Sequence, residues 1–220
     1  MTELSSEYRK AHVGNLFYHI HKEGAIVTAC EYTTADGIKI PSHVDGVPVM
    51  GISECAFADK PFKNIELPDT IEYIGRQAFK NCSQIKNIKL PENLQTIDDR
   101  AFMYCSNLTS IIIPGKAKLG FSAFFGCTNL SKVIIKDGVK CIPERCFCTS
   151  KIDKITIPDS VEEIYKSAFS FSGNEIVRCT KGSVAETMAV ENYLRIEYKV
   201  NSKINQFFNQ ETTEEKNGRE

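Results

Sequence analysis

The sequence predicts a right-handed repeat solenoid, a coil of short strands stacked side by side into a parallel sheet. Three observations predict it. A phenylalanine, usually after a small residue, recurs at Phe57, Phe79, Phe102, Phe124, Phe147 and Phe169, in steps of 22, 23, 22, 23 and 22 residues. An alternating apolar pair keeps the same step: Ile65/Leu67, Ile88/Leu90, Ile111/Ile113, Val133/Ile135 and Ile155/Ile157. Each unit opens on an aliphatic residue, namely Ile52, Ile74, Ile97, Leu119, Ile142 or Ile164. A fixed period of this size marks a solenoid and outranks any element-by-element reading.

One unit shows why the chain must coil. In Asn87-Ile88-Lys89-Leu90 apolar and polar residues alternate, which makes a strand with one buried face. Pro68, Pro91, Pro114 and Pro158 close four of the pairs, and proline has no N–H to extend a ladder. Ala78, Phe79 and Cys82 have helical spacing, so the return segment is expected to hold a helical turn. A second short strand is expected near Thr96-Ile97. A lone unit cannot bury its apolar face, but a stack of units can. Crossover handedness makes the coil right-handed.

From the N-terminus, residues 1–10 are polar and expected to be flexible. Residues 11–51 read as a β-hairpin cap. Leu16–Ile20, Ala25–Cys30, Ile38–Ile40 and Val47–Val49 are strand-like, separated by turn signals at Asp36-Gly37 and Asp45-Gly46. Such a cap covers the open end of the sheet. Six units fill 52–178. The chain shortens near Lys60-Pro61-Phe62 and Ser150-Lys151-Ile152. Pro114 to Leu119 is one residue short, and Lys136 stands where a proline is expected. A C-terminal cap spans 179–200. There Ser183-Val184-Ala185-Glu186 forms a capping box for a short helix reaching about Asn192, followed by a closing strand over Leu194–Tyr198. The polar tail, 201–220, is expected to be disordered despite Phe207-Phe208.

The pattern L-x-x-I-x-L-P followed by I-x-x-x-A-F-x-x-C resembles the BspA-like leucine-rich repeats. It covers Ile52 to Val177, and the entry segment IPSHVDGVPVMGI is similar too. The resemblance implies a non-catalytic protein- or peptide-binding module, with adhesion or host and cell-surface interaction among its uses. An intracellular scaffold is the alternative reading. A metal- or thiol-dependent enzyme at the N-terminal cap is the third.

Composition sets bounds. A formal net charge of −1 gives no global argument for nucleic acid or membrane. No apolar run is long enough to span a bilayer, and MTELSSEYRKAH lacks the apolar core of a secretory signal. The N-terminus therefore reads as cytoplasmic, while the resemblance points to the cell surface. Nine cysteines suggest disulfides, but the count is odd, and Cys82, Cys105 and Cys127 share one inward column. They read as reduced structural thiols.

Candidate chemistry is sparse. His19 and His21 share a strand face and, with His43 or Cys30, offer zinc ligands. No C-x-x-C or H-x-x-x-H accompanies them, so they read as ordinary strand histidines with no metal. Cys141, Cys146 and Cys148 cluster beside Arg145, which lowers a thiol pKa where the thiol is exposed. Cys146, though, occupies an inward column. No phosphate loop, nucleophile elbow or carboxylate pair is present, so neither catalytic residues nor cofactors are assigned. The sequon-like Asn81, Asn107 and Asn129 recur as turn chemistry.

The outward rows of the main sheet are more informative. One row reads Asn64, Asn87, Ser110, Lys132, Lys154, Glu175, and the next Glu66, Lys89, Ile112, Ile134, Thr156, Val177. Ile112 and Ile134 are an apolar pair on a face expected to meet solvent. Between Gly115 and Lys154 there are seven Lys and one Arg against three acids. Lys89, Ile112, Lys132, Ile134, Lys154 and Thr156 are therefore the candidate site, with an acidic protein or extended peptide as its partner. β-propensity alone also accounts for such isoleucines. A rival patch of Met103, Tyr104, Phe121 and Phe125 lies on the opposite side and reads as a surface for homodimer formation or as local overpacking.

Overall fold

The computed structural model describes residues 7–31, 37–170 and 175–199. The expected flexibility of residues 1–6, the turn residue Asp36 and the tail at 201–220 lie outside the described residues. The chain opens with an antiparallel meander, β1 (Arg9–Val13), β2 (Leu16–Ile20) and β3 (Ala25–Cys30). Strand β1 corrects the expectation from sequence: the first expected strand begins at Leu16, and Arg9 and Lys10 fall in the stretch 1–10 expected to be flexible. The mixed polar stretch of β1 carries no alternating core pattern. Short strands β4 (Ile38–Lys39) and β5 (His43–Val44) lead to β6 (Val47–Ile52), which pairs parallel with β3 and joins the cap to the stack.

Two columns of short parallel strands then run along the coil. One contains β7 (Ile65–Glu66), followed by β10 (Ser110–Ile113), β12 (Lys132–Ile135), β14 (Lys154–Thr156) and β16 (Ile176–Cys179). The other contains β8 (Tyr73–Ile74), β9 (Thr96–Ile97), β11 (Lys118–Leu119), β13 (Cys141–Ile142) and β15 (Glu163–Ile164), which realises the second strand expected at Thr96-Ile97. Helix α1 (Val184–Glu191) and strand β17 (Arg195–Tyr198) close the chain, with β17 parallel to β16. The capping box forms. Ser183 Oγ accepts from Glu186 N–H at 3.2 Å, and the Glu186 carboxylate accepts from Gly182 N–H at 2.5 Å.

The core is a ladder of rings. Phe57, Phe79, Phe102, Phe124, Phe147 and Phe169 stack near-parallel, with successive centroids 5.2, 5.0, 5.2, 5.3 and 5.4 Å apart. The rise of one coil sets that spacing, because neighbouring strands lie about 4.8 Å apart. In the return segments the expected helical turn takes the form of successive tight turns. Ala78, Lys80 and Cys82 donate back three residues, to Gly75, Gln77 and Phe79. Gln77, Phe79 and Asn81 donate instead to Asp99, Ala101 and Met103 of the next coil, at 3.0, 2.8 and 2.8 Å. Left-handed backbone two residues either side of the ring, Gln77 (φ 55°) and Asn81 (φ 59°), turns alternate amides along the stack axis. The same pair of positions is left-handed around Phe102, at Arg100 and Tyr104.

The thiol column is a second ladder. Cys82, Cys105 and Cys127 are fully buried, and each Sγ–H donates to the carbonyl of the ring residue one coil earlier: Phe57 at 3.0 Å, Phe79 at 3.1 Å and Phe102 at 3.2 Å. All nine cysteines are free thiols, and Cys55 alone is exposed. A small thiol reagent on the native protein is therefore expected to modify Cys55 quickly and Cys105 only after unfolding. Rapid native labelling at Cys105 would refute the inward register.

Candidate ligand face

The outward face of the main sheet is a grid fixed by backbone register. Ser110, Lys132 and Lys154 align with Ile176 in one row, and Ile112, Ile134 and Thr156 align with Arg178 in the next. This corrects the final coil of the sequence reading, which placed Glu175 and Val177 outward. Val177 is fully buried and Glu175 is buried, while Arg178 is exposed. The period itself carried the signal. Val177 follows Ile155 by the usual step, so it inherits the inward position. Ile176 is thus an outward apolar residue that the sequence analysis missed.

The sheet brings the candidate residues together. Ile112 is 49% exposed, in direct register with half-buried Ile134, and Thr156 follows it. Asn87 bridges Ser110, which sets exposed Lys89 at the position of Ile112 on the preceding coil. Lys132 is exposed on the flank. Lys154 is different, because its ammonium is ion-paired with the Glu197 carboxylate on β17. Arg178 Nε lies 3.8 Å from the same carboxyl. The hydrogen bond from Lys154, then the nearby cations, hold Glu197 below the usual carboxylate range. Lys154 therefore ties the closing strand to the sheet, while Lys89 and Lys132 are exposed on the face that would meet a ligand.

The rival patch is also assembled, but much of it is used internally. Tyr104 meets Phe125 edge-on at 5.7 Å, and the Arg100 guanidinium lies 5.0 Å from the Phe121 ring centre. Gly126 occupies the Tyr104 position of the next coil, and a Cβ there would lie 2.3 Å from the Tyr104 ring. The ring therefore lies over the glycine. Met103, Phe121 and Phe125 are half-buried, and Tyr104 is exposed.

The histidines do not converge. His19 stacks on Tyr8 at 3.9 Å and His12 on Phe17 at 4.3 Å. Among the described residues no group of three His, Cys, Asp or Glu could hold a metal ion. Cys146 is fully buried, and burial raises its thiol pKa well above the usual range. Cys141 is also raised, first by burial and then by Glu163. Arg145 does not make an activated thiol of either. Among the described residues no helix is long and apolar enough to cross a membrane.

Comparison with known proteins agrees with this architecture. A family model for the BspA type leucine rich repeat region matches residues 51–175 in six copies. A leucine-rich repeat protein from Bacteroides capillosus is 27% identical, with a TM-score of 0.51 over 58% of this chain and 98% of that one. A leucine rich cell surface protein from Faecalibacterium prausnitzii is similar in fold, with a TM-score of 0.63 at 22% identity over 80% of this chain and 55% of that one. The leucine-rich repeat protein of T. pallidum gives 0.61 at 20% identity, over 90% and 98%. No curated protein matches the chain.

Proposed function

The chain belongs to the BspA-type leucine-rich-repeat family, and from that premise we propose that it is a non-catalytic module that binds an extended acidic peptide on the outward face of its main sheet. Members of the family generally serve as protein-binding or surface-interaction modules. One observation carries the finer reading: Ile112 and Ile134 sit in register on the outward face, with exposed Lys89 and Lys132 beside them. Exposed apolar pairs framed by charge are a common form of binding surface. The partner is read as a peptide because of size. The five paired strands β10, β12, β14, β16 and β17, about 4.8 Å apart, make a face about 19 Å wide. At roughly 13 Å deep, its projected area is about 250 Å², against the ~800 Å² that each partner contributes to a standard interface. A leucine rich cell surface protein shares this fold, which is the support for a surface setting.

The test is recovery of a partner from cell-surface material, repeated with variants and at raised salt. Ile134→Asp is expected to weaken binding at least tenfold, because it sets a charge in the apolar row. Lys132→Glu is expected to weaken it several-fold and to reduce its salt dependence. Lys154→Glu is a poor probe, since it also breaks the Glu197 pair that anchors β17. A partner that binds both informative variants as well as wild type, and ignores salt, would move the site to Met103, Tyr104, Phe121 and Phe125.

A further inference from the structure

We infer that the open edge of the main sheet at β17 is a dimerisation surface, and that its partner is β17 of a second copy of this chain, antiparallel across a two-fold axis. The backbone comes first. β17 is the last strand of the sheet among the described residues. Arg195 N–H donates to Glu175 O at 3.1 Å and Lys199 N–H to Cys179 O at 3.0 Å. Strand alternation then turns the N–H and C=O groups of Ile196 and Tyr198 away from β16, onto the edge. Solenoid ends ordinarily present a polar outer face. This one does not. Of nine exposed large apolar residues among the described ones, five lie at or beyond Tyr165, including Val190 at 61%, Tyr193 at 91% and Tyr198 at 48% exposed. Tyr193 also holds a left-handed backbone, φ 56°, while its side chain meets solvent.

Charge selects the partner and narrows the register. Charges on an edge strand usually discourage pairing. Here they alternate, as Arg195-Ile196-Glu197-Tyr198-Lys199. A two-fold axis at Ile196 sets Arg195 opposite Glu197 of the second copy, twice, on the outward face. It also sets Ile196 against its own counterpart, with two backbone hydrogen bonds, and Tyr198 against Leu194 of the second copy. The register centred on Glu197 instead opposes Glu197 to itself and Arg195 to Lys199, and like charges directly opposite are unfavourable. The register centred on Tyr198, whose amide also faces the edge, sets Glu197 opposite Lys199 of the second copy and is complementary too. The strand is therefore self-complementary in both registers that its edge-facing amides allow, as an isologous interface requires. The contact is smaller than a standard interface, so the dimer is weak and forms at high concentration. It would also join two ligand faces into one, although the inference does not depend on the peptide reading.

The experiment is sedimentation equilibrium of the full chain up to about 1 mM, the concentrated range a weak interface needs, combined with residue-resolved amide exchange. A reversible dimer is expected, with protection of the Ile196 and Tyr198 amides that grows with concentration. Arg195→Glu combined with Lys199→Glu, which sets like charges opposite in both registers, should weaken the dimer at least tenfold. Ile196→Pro should abolish it while keeping the inward hydrogen bonds, because proline is tolerated where an edge N–H faces solvent. A monomer at every concentration would overturn the proposal, as would a dimer indifferent to both variants. Protection of both amides that does not change with concentration would also overturn it, by showing that the chain covers its own edge.

Discussion

Phe102→Ala is expected to destabilise the chain by about 3–5 kcal/mol, the range for removing a large buried aromatic side chain. Phe102 is fully buried and lies between Phe79 at 5.0 Å and Phe124 at 5.2 Å, so truncation leaves a hole bounded by two ring faces. Collapse into that hole is resisted, because the hydrogen-bonded coils fix the separation of the two flanking rings. Phe102 N–H donates to Ala123 O at 2.8 Å and Phe79 N–H to Ala101 O at 2.8 Å. A loss this large is a sizeable share of the ~5–15 kcal/mol that holds a typical domain folded. Urea unfolding of both proteins measures it, with Ile112→Ala as the outward control, expected below about 1 kcal/mol. A loss under 1 kcal/mol at Phe102 would show that the ring column carries little of the core. The paired variant Phe79→Ala with Phe102→Ala should cost less than the sum of the two, because neighbouring vacancies share one cavity.

The ring ladder shows what kind of feature a sequence makes legible. Its members repeat, so each copy tests the others, and the inward columns of Phe, Cys and Ile all fell where their period put them. The two-strand coil and the C-terminal helix were readable for the same kind of reason, a repeated Ile or Leu at the opening of each unit and a local capping box. What escaped lies where repetition stops or where partners come from far along the chain. Strand β1 is polar and half outside any core, so pattern had nothing to hold. The final coil lies one residue beyond the expected outward rows, because the 22-residue step carries Lys154 to Ile176 and not to Glu175. The site was only half legible. That Ile112 and Ile134 share an outward row follows from counting, but the Lys154–Glu197 pair joins residues 43 apart, one on a repeat strand and one on the closing strand. No spacing rule announces such a pair. The left-handed turn residues Gln77, Arg100 and Ser122 share no side-chain chemistry that would mark the conformation.

The thiol ladder predicts that the chain unfolds steeply in alkali, near pH 10. Burial pushes Cys82 and Cys127 up to about 12, and Cys105 and Cys146 well above the ordinary thiol value. In the unfolded chain the same thiols ionise near pH 8.5–9, as free cysteine does (about 8.5). Below that range both states keep their protons and the thiols make stability independent of pH. Above it the unfolded state loses protons that the folded state retains, so stability falls as pH rises. Each thiol contributes a slope of about 1.4 kcal/mol per pH unit, and four acting together give roughly 5 kcal/mol per unit by pH 10. Tyr18 and Tyr73, also raised to about 12 by burial first, steepen the fall above pH 10. A slope of that size consumes the stability of an ordinary domain within about one to three pH units. Urea midpoints at pH 7, 9 and 10 measure it, and Cys105→Ala with Cys127→Ala should roughly halve the slope while costing some packing at pH 7. The first test is the wild-type curve. A midpoint that stays level from pH 8 to pH 10 would mean that the column thiols titrate like free ones, and the inward ladder would have to be abandoned.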